Sequence, residues 1–193
     1  MKTSFLLLMS ALAVPVLSIG ADVPSKADQI ALAILAAPAE WQAGAGVWGF
    51  DGSGKLIKLR EATNNMVCFG DSPALEKISA TCVSKDMEEW QVRIWELRSR
   101  GAPNVLRTVW SEADSGKLMT PPAAWPVNIL EGSSFDATTG KVADYSLRWV
   151  VVMPNVTPEG LGLSAEKSPD KPWLMNPGTA GAHIMIPAVT RQP

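Results

Sequence analysis

The chain has 193 residues, 47% of them hydrophobic and 19% charged, with 17 Lys+Arg against 19 Asp+Glu. That apolar content is enough to bury a core and excludes a disordered chain, and the length fits one domain. A net charge of -2 excludes the basic surplus with which a nucleic-acid binder displaces counterions from phosphates. One histidine and two cysteines leave too few ligands for a zinc site built on His and Cys, and no cofactor is expected.

Met1-Lys2-Thr3-Ser4 is a short positive segment, Phe5 to Leu17 is an almost unbroken apolar run, and Ser18-Ile19-Gly20-Ala21 supplies small residues. This is the layout of a secretory signal peptide, with cleavage after Gly20 or Ala21. The run is about 13 residues where a membrane span needs roughly 20, so no transmembrane anchor is expected after cleavage. Residues 1–21 therefore read as signal peptide and residues 22–193 as a single exported domain. In an oxidising compartment Cys68 and Cys82 are expected to form a disulfide, adding roughly 3 kcal/mol by restricting the unfolded chain. Their spacing is not the C-x-x-C of a redox pair, and a metal pair would need further ligands nearby.

Ser25 to Ala37 reads as a helix capped by Ser25, with Asp28 three residues on and Pro38 as its stop. Ala45 to Phe50 and Lys55 to Ala62 flank Asp51-Gly52-Ser53-Gly54 and read as a hairpin. Met66 to Phe69 follows, and Asp71-Ser72-Pro73 opens a loop that the cysteine bridge would pin to the next helix. That helix is the strongest in the sequence. Asp86 is placed to cap it, Glu89 at the capping-box position, and Gly101 ends it. Met87, Trp90, Ile94 and Leu97 form its apolar stripe, and Glu89–Arg93 and Glu96–Arg100 are i, i+4 pairs on a solvated face.

Val105 to Ala113 fits a short helix or a strand, and Pro121-Pro122 breaks the chain beyond it. Val127 to Glu131, Tyr145 to Met153, Pro172 to Asn176 and Ala182 to Pro187 read as β segments. Helices early and strands late point to α+β: a single compact domain with an N-terminal helix and hairpin, one central amphipathic helix, and mostly antiparallel β in the C-terminal half.

The only histidine, His183, lies two residues before Met185. On a strand the two share a face. Imidazole and thioether both suit copper, and Met66, Met119, Met153 or Met175 would complete such a site. A general acid/base role with Asp71 or another carboxylate brought near is a second possibility, because imidazole titrates near neutrality. A structural, hydrogen-bonded His183 is the third. Nucleophile signatures are poor: there is no G-x-S-x-G, and Ser164–Lys167 and Ser168–Lys171 are S-x-x-K spacings that chance supplies. Asn155-Val156-Thr157 fits a glycosylation sequon followed by Pro158. Of eight tryptophans, Trp41, Trp48, Trp125 and Trp173 lie by turns or prolines. Exposed there, they could bind a ligand by stacking, as flat rings do on apolar sugar faces.

Two segments, Leu59-Arg60-Glu61-Ala62-Thr63-Asn64-Asn65-Met66-Val67-Cys68-Phe69-Gly70-Asp71 and Pro172-Trp173-Leu174-Met175-Asn176-Pro177-Gly178-Thr179 continuing to His183-Ile184-Met185-Ile186-Pro187, resemble a family of small exported bacterial proteins. That family carries L-R-x-G-x-N-x-x-x-C early and G-T-x-x-x-H-x-M-x-P at its end. Ala62 stands where its glycine usually sits, and Val151-Val152-Met153 where relatives often carry another His-x-Met. The resemblance implies export to a bacterial periplasm, or secretion beyond it, and no established activity.

The expected function is non-catalytic: binding of a small molecule or association with an envelope component, with no nucleic acid. The alternatives are a small hydrolase using His183 and a copper-handling protein using His183 and Met185. A carboxylate or serine within reach of His183 would favour the hydrolase, and methionine sulfurs around it would favour copper.

Overall fold

The computed structural model describes residues 23–120, 124–188 and 190. Residues 1–21, read from sequence as a signal peptide, and Pro121-Pro122 lie outside the described residues.

Ser25 accepts a hydrogen bond from the Asp28 N–H and so caps α1 (Lys26–Ile34), and a short α2 (Ala39–Gln42) follows Pro38. The hairpin forms from β1 (Gly46–Phe50) and β2 (Leu56–Arg60), its turn held by Asp51 Oδ1, which accepts from the backbone of Ser53 and Lys55. β3 (Met66–Phe69) lies parallel to β1 on its other side, and β4 (Ile78–Ser84) returns antiparallel to β3. A 3-10 turn (Lys85–Met87) leads into α3 (Glu88–Ser99), and α4 (Val105–Asp114) packs beside it. The chain re-enters the sheet as β5 (Trp125–Gly132), forms a separate hairpin of β6 (Ser134–Asp136) and β7 (Lys141–Ala143), and returns as β8 (Ser146–Val152). The short α5 (Pro158–Leu161) precedes β9 (Trp173–Met175) and β10 (His183–Met185). The eight-stranded order is β2-β1-β3-β4-β5-β8-β10-β9, antiparallel throughout except β1–β3. This is the mixed α+β class. Four of the eight strands come from the first half of the chain, so strands are not confined to its end.

Helices cover both faces of the sheet. On one, Ala33, Ala36 and Ala37 of the α1 region pack on Val47, Cys68 and Cys82, small side chains that let helix and sheet approach closely. On the other, Trp90, Ile94 and Trp95 of α3 and Val109 of α4 pack on Phe69, Val83, Val127 and Val150. Trp95 is fully buried, stacked on Phe69 with centroids 6.4 Å apart, and Arg98 lies over its ring at 5.1 Å. Each large side chain buried in this way contributes about 1.5–3 kcal/mol.

Cys68 and Cys82 are bonded to each other and stand directly opposite on β3 and β4. The bridge therefore ties two neighbouring strands, not a loop to a helix, because residues 78–84 form a strand before the helix begins. Asp86 falls in the 3-10 turn, and α3 starts at Glu88 with no side-chain cap. Its C-terminus behaves as expected: Gly101, at φ 65°, turns back so that its N–H reaches Arg98 O and the Ala102 N–H reaches Leu97 O. Arg93 turns from Glu89 to the α4 residue Glu112, binding both carboxylate oxygens at 2.6 and 2.8 Å, with Glu96 at 3.8 Å. The partners are thus interhelical, which clamps α4 onto α3. Residues 105–113 resolve as helix.

Candidate functional site

The strand register sets two rows of side chains on the α3/α4 face. Val127, Val150, Met185 and Trp173 occupy consecutive strands in one row; Val152, His183 and Met175 occupy the next. Opposite them lie Met87 of the 3-10 turn and Gln91, Ile94 and Arg98 of α3, which recur at helical spacing, and α4 presents Leu106 and Trp110. Between sheet and helices lies a cavity of about 400 Å³. Leu106, Met175 and Lys167, the exposed members of its wall, mark where it meets solvent. Gly181 is required by this arrangement, since a Cβ there would overlap the Trp110 indole.

The wall is largely apolar, and its polar groups are unusually short of protein partners. Gln91 is only 6% exposed, yet its side-chain amide bonds nothing among the described residues. Trp90, 5% exposed, has a buried indole N–H without an acceptor among the described residues. Arg148 reaches Glu131 with both terminal nitrogens, at 2.7 and 3.0 Å, while its buried Nε has no partner among the described residues. Arg98 forms no ion pair among the described residues. Burial pulls its guanidinium below its ordinary pKa, Glu131 pushes it back up, and Arg148 lowers it again. Among the described residues no carboxylate lines the cavity.

His183 sits half-buried in this wall. Its Nδ1 lies 2.7 Å from Gly181 O, which can only accept, so the neutral ring carries its proton there and keeps a lone pair on Nε2. Burial lowers the His183 pKa, the Gly181 bond opposes this, and Arg148 adds to the lowering. Met175 is its directly opposite neighbour on β9, and Met185 shares its face. Asp71 does not join it. That carboxylate lies in a second cavity with Gln29, Leu32 and Ile78, where burial pushes its pKa up to about 6 against hydrogen bonds from the Ser79 and Ser72 N–H groups. Among the described residues no three His, Cys, Asp or Glu side chains are grouped to hold a metal ion.

The four tryptophans singled out in the sequence are scattered. Trp173 lines the cavity. Trp41, 39% exposed, lies on α2. Trp48 is half-buried, stacks on Phe69, lies under Lys58 at 5.1 Å, and donates its indole N–H to Glu88 at 2.7 Å. Burial pushes Glu88 up, but Lys58 and Trp48 together hold it below its ordinary pKa. Trp125 is half-buried with its indole N–H unpartnered. Val151, where the resemblance would put a second histidine, pairs with Ile184 and so lies on the opposite face from His183.

Gln91, Arg98 and Trp110 are the wall residues that sequence reasoning passed over. The signal was present: positions 87, 91, 94 and 98 form a helical stripe in which a glutamine and an arginine interrupt apolar residues. Among the described residues no helix is long and apolar enough to cross a membrane. No protein-family model, curated protein or solved structure matches this chain.

Proposed function

We propose that the protein is an exported, non-catalytic binder of a small, largely apolar molecule, held between the sheet and the α3–α4 pair. One observation carries the reading: a largely apolar cavity of about 400 Å³ whose wall includes the Gln91 amide and the Arg98 guanidinium, the first without a hydrogen-bond partner and the second without an ion pair among the described residues. Leaving buried donors unpaired costs about 1–3 kcal/mol each. A cavity of this size, apolar with a few converging polar groups, has the character of a small-molecule site. Export is supported by the apolar run at residues 5–17 and by the Cys68–Cys82 bridge.

Catalysis by His183 has less support, because its hydrogen-bond partner is a backbone carbonyl and no carboxylate among the described residues shares the wall. Copper binding is favoured by the nearness of Met175 and Met185 to His183 in the register. Two guanidinium groups in the same wall oppose a cation there.

The test uses N-phenyl-1-naphthylamine, an uncharged dye that brightens when enclosed. The expected result is saturable one-to-one binding, lost when Met185→Trp fills the cavity in a variant that still unfolds cooperatively. Absence of saturable binding, or binding indifferent to that substitution, overturns the reading.

A further inference from the structure

The charges and unpaired donors of the cavity wall point to a narrower class of ligand. Arg98 on α3 and Arg148 on β8 both line it, but only Arg148 has a carboxylate, Glu131. The wall therefore holds one guanidinium beyond what the described carboxylates balance, with Lys167 adding a further positive charge at the mouth. A half-buried guanidinium facing an apolar space is costly to leave without an anion. The Gln91 side-chain amide, also without a partner among the described residues, offers two N–H groups beside its carbonyl. A ligand that meets them must bring acceptor oxygens. An uncharged hydrocarbon would leave every one unmet, and a cation would add repulsion.

We propose that the cavity selects an organic carboxylate, whose apolar body lies against Trp110, Met185 and Trp173 and whose carboxylate is received by Arg98 with help from the Gln91 amide N–H. This rests on the reading of the cavity as a ligand site and adds the chemistry of the occupant. A guanidinium offers a carboxylate two parallel N–H donors, and a bond of this charged kind is stronger than its neutral equivalent. The apolar body is either an aliphatic chain or an aromatic ring, since both suit a wall of methionine, valine and tryptophan.

The experiment measures displacement of N-phenyl-1-naphthylamine from the disulfide-bonded protein by two matched pairs: decanoate against decan-1-ol, and 1-naphthoate against 1-naphthalenemethanol. At least one acid is expected to bind about tenfold or more tightly than its alcohol. The pair with the larger ratio identifies the body as aliphatic or aromatic. In Arg98→Gln the acid should fall to the level of its alcohol while the alcohol itself binds as before, which also shows that the variant keeps its cavity. Arg98→Lys should recover part of the preference. Acids and alcohols displacing the dye equally, or Arg98→Gln weakening both alike, would overturn the carboxylate assignment while leaving the cavity a binding site. Failure of the dye to bind at all would remove the binding site itself.

Discussion

Arg98 and Gln91 show how a polar residue on a helix can be read in two opposite ways. From sequence both pass for the solvated side of α3, since neither interrupts the stripe Met87, Trp90, Ile94, Leu97. In the structure that stripe is buried as expected, and the covered face extends beyond it to Gln91, Trp95 and Arg98, so that positions 91 and 98 line the cavity. Propensity and periodicity fix that a helix forms; they do not fix how wide its covered face is when a second helix and a sheet both pack on it. His183 and Trp173 were legible because each is conspicuous alone. Asp71 was singled out for its loop, and the structure gives it a different interest. Its carboxyl is pushed up to about 6 by burial, against an ordinary value of 3.8. The native state then holds this proton more firmly than the unfolded chain, so ionisation costs stability. That penalty is absent below about pH 4 and complete above about pH 6, and stability falls as pH rises between them. Asp71→Asn, which keeps an acceptor for the Ser79 N–H, should stabilise the protein at pH 7.5 by on the order of 1 kcal/mol, allowing for solvent screening at this half-buried site. At pH 4 the gain should vanish. Thermal unfolding of both proteins at the two pH values checks this, and equal gains at both would contradict it.

Among the elements, those with clear alternation or caps were legible: α1 with Ser25, the hairpin of β1 and β2, β3, and β8. β4 was not, because Ile78-Ser79-Ala80-Thr81-Cys82-Val83-Ser84 is a central strand covered on both faces, with buried Ala80, Thr81, Cys82 and Val83 in succession. Such a strand shows no alternation, and its serines and threonine read as loop. The cost of missing it was the wrong partner for the disulfide, which joins β3 to β4 in the middle of the sheet. Both half-cystines are 0% exposed, and Cys82 Sγ lies 3.3 Å from Ala33 O of α1. The bridge therefore sits under α1, at the join of helix and sheet. Cys68→Ala/Cys82→Ala should lose roughly 3 kcal/mol in urea unfolding. A loss below about 1 kcal/mol would mean that packing of α1 holds these strands without the bond.

At the scale of the whole molecule, the α+β class was legible from composition and element order, while the topology was not. Placing β3 next to both β1 and β4, and β10 between β8 and β9, is decided by contacts between distant segments that no local pattern encodes. The same long-range pairing makes the cavity, since its wall draws on β4, β5, β8, β9 and β10 together with two helices. A site of this origin leaves only fragments in the sequence, such as His183 and Trp173. It also separates two accounts of the eight tryptophans. If ligand enters the cavity, the indoles that report it are those of Trp90, Trp110 and Trp173; if ligand stacks on the surface, Trp41 reports it, being the most exposed of those singled out. The most direct measurement is a two-dimensional NMR titration with decanoate and 1-naphthoate, following the indole N–H signals assigned by single tryptophan-to-phenylalanine variants. The account predicts saturable shifts confined to Trp90, Trp110 and Trp173 with at least one acid. Shifts at Trp41 with the three cavity indoles unmoved, or no saturable shift with either acid, would contradict it.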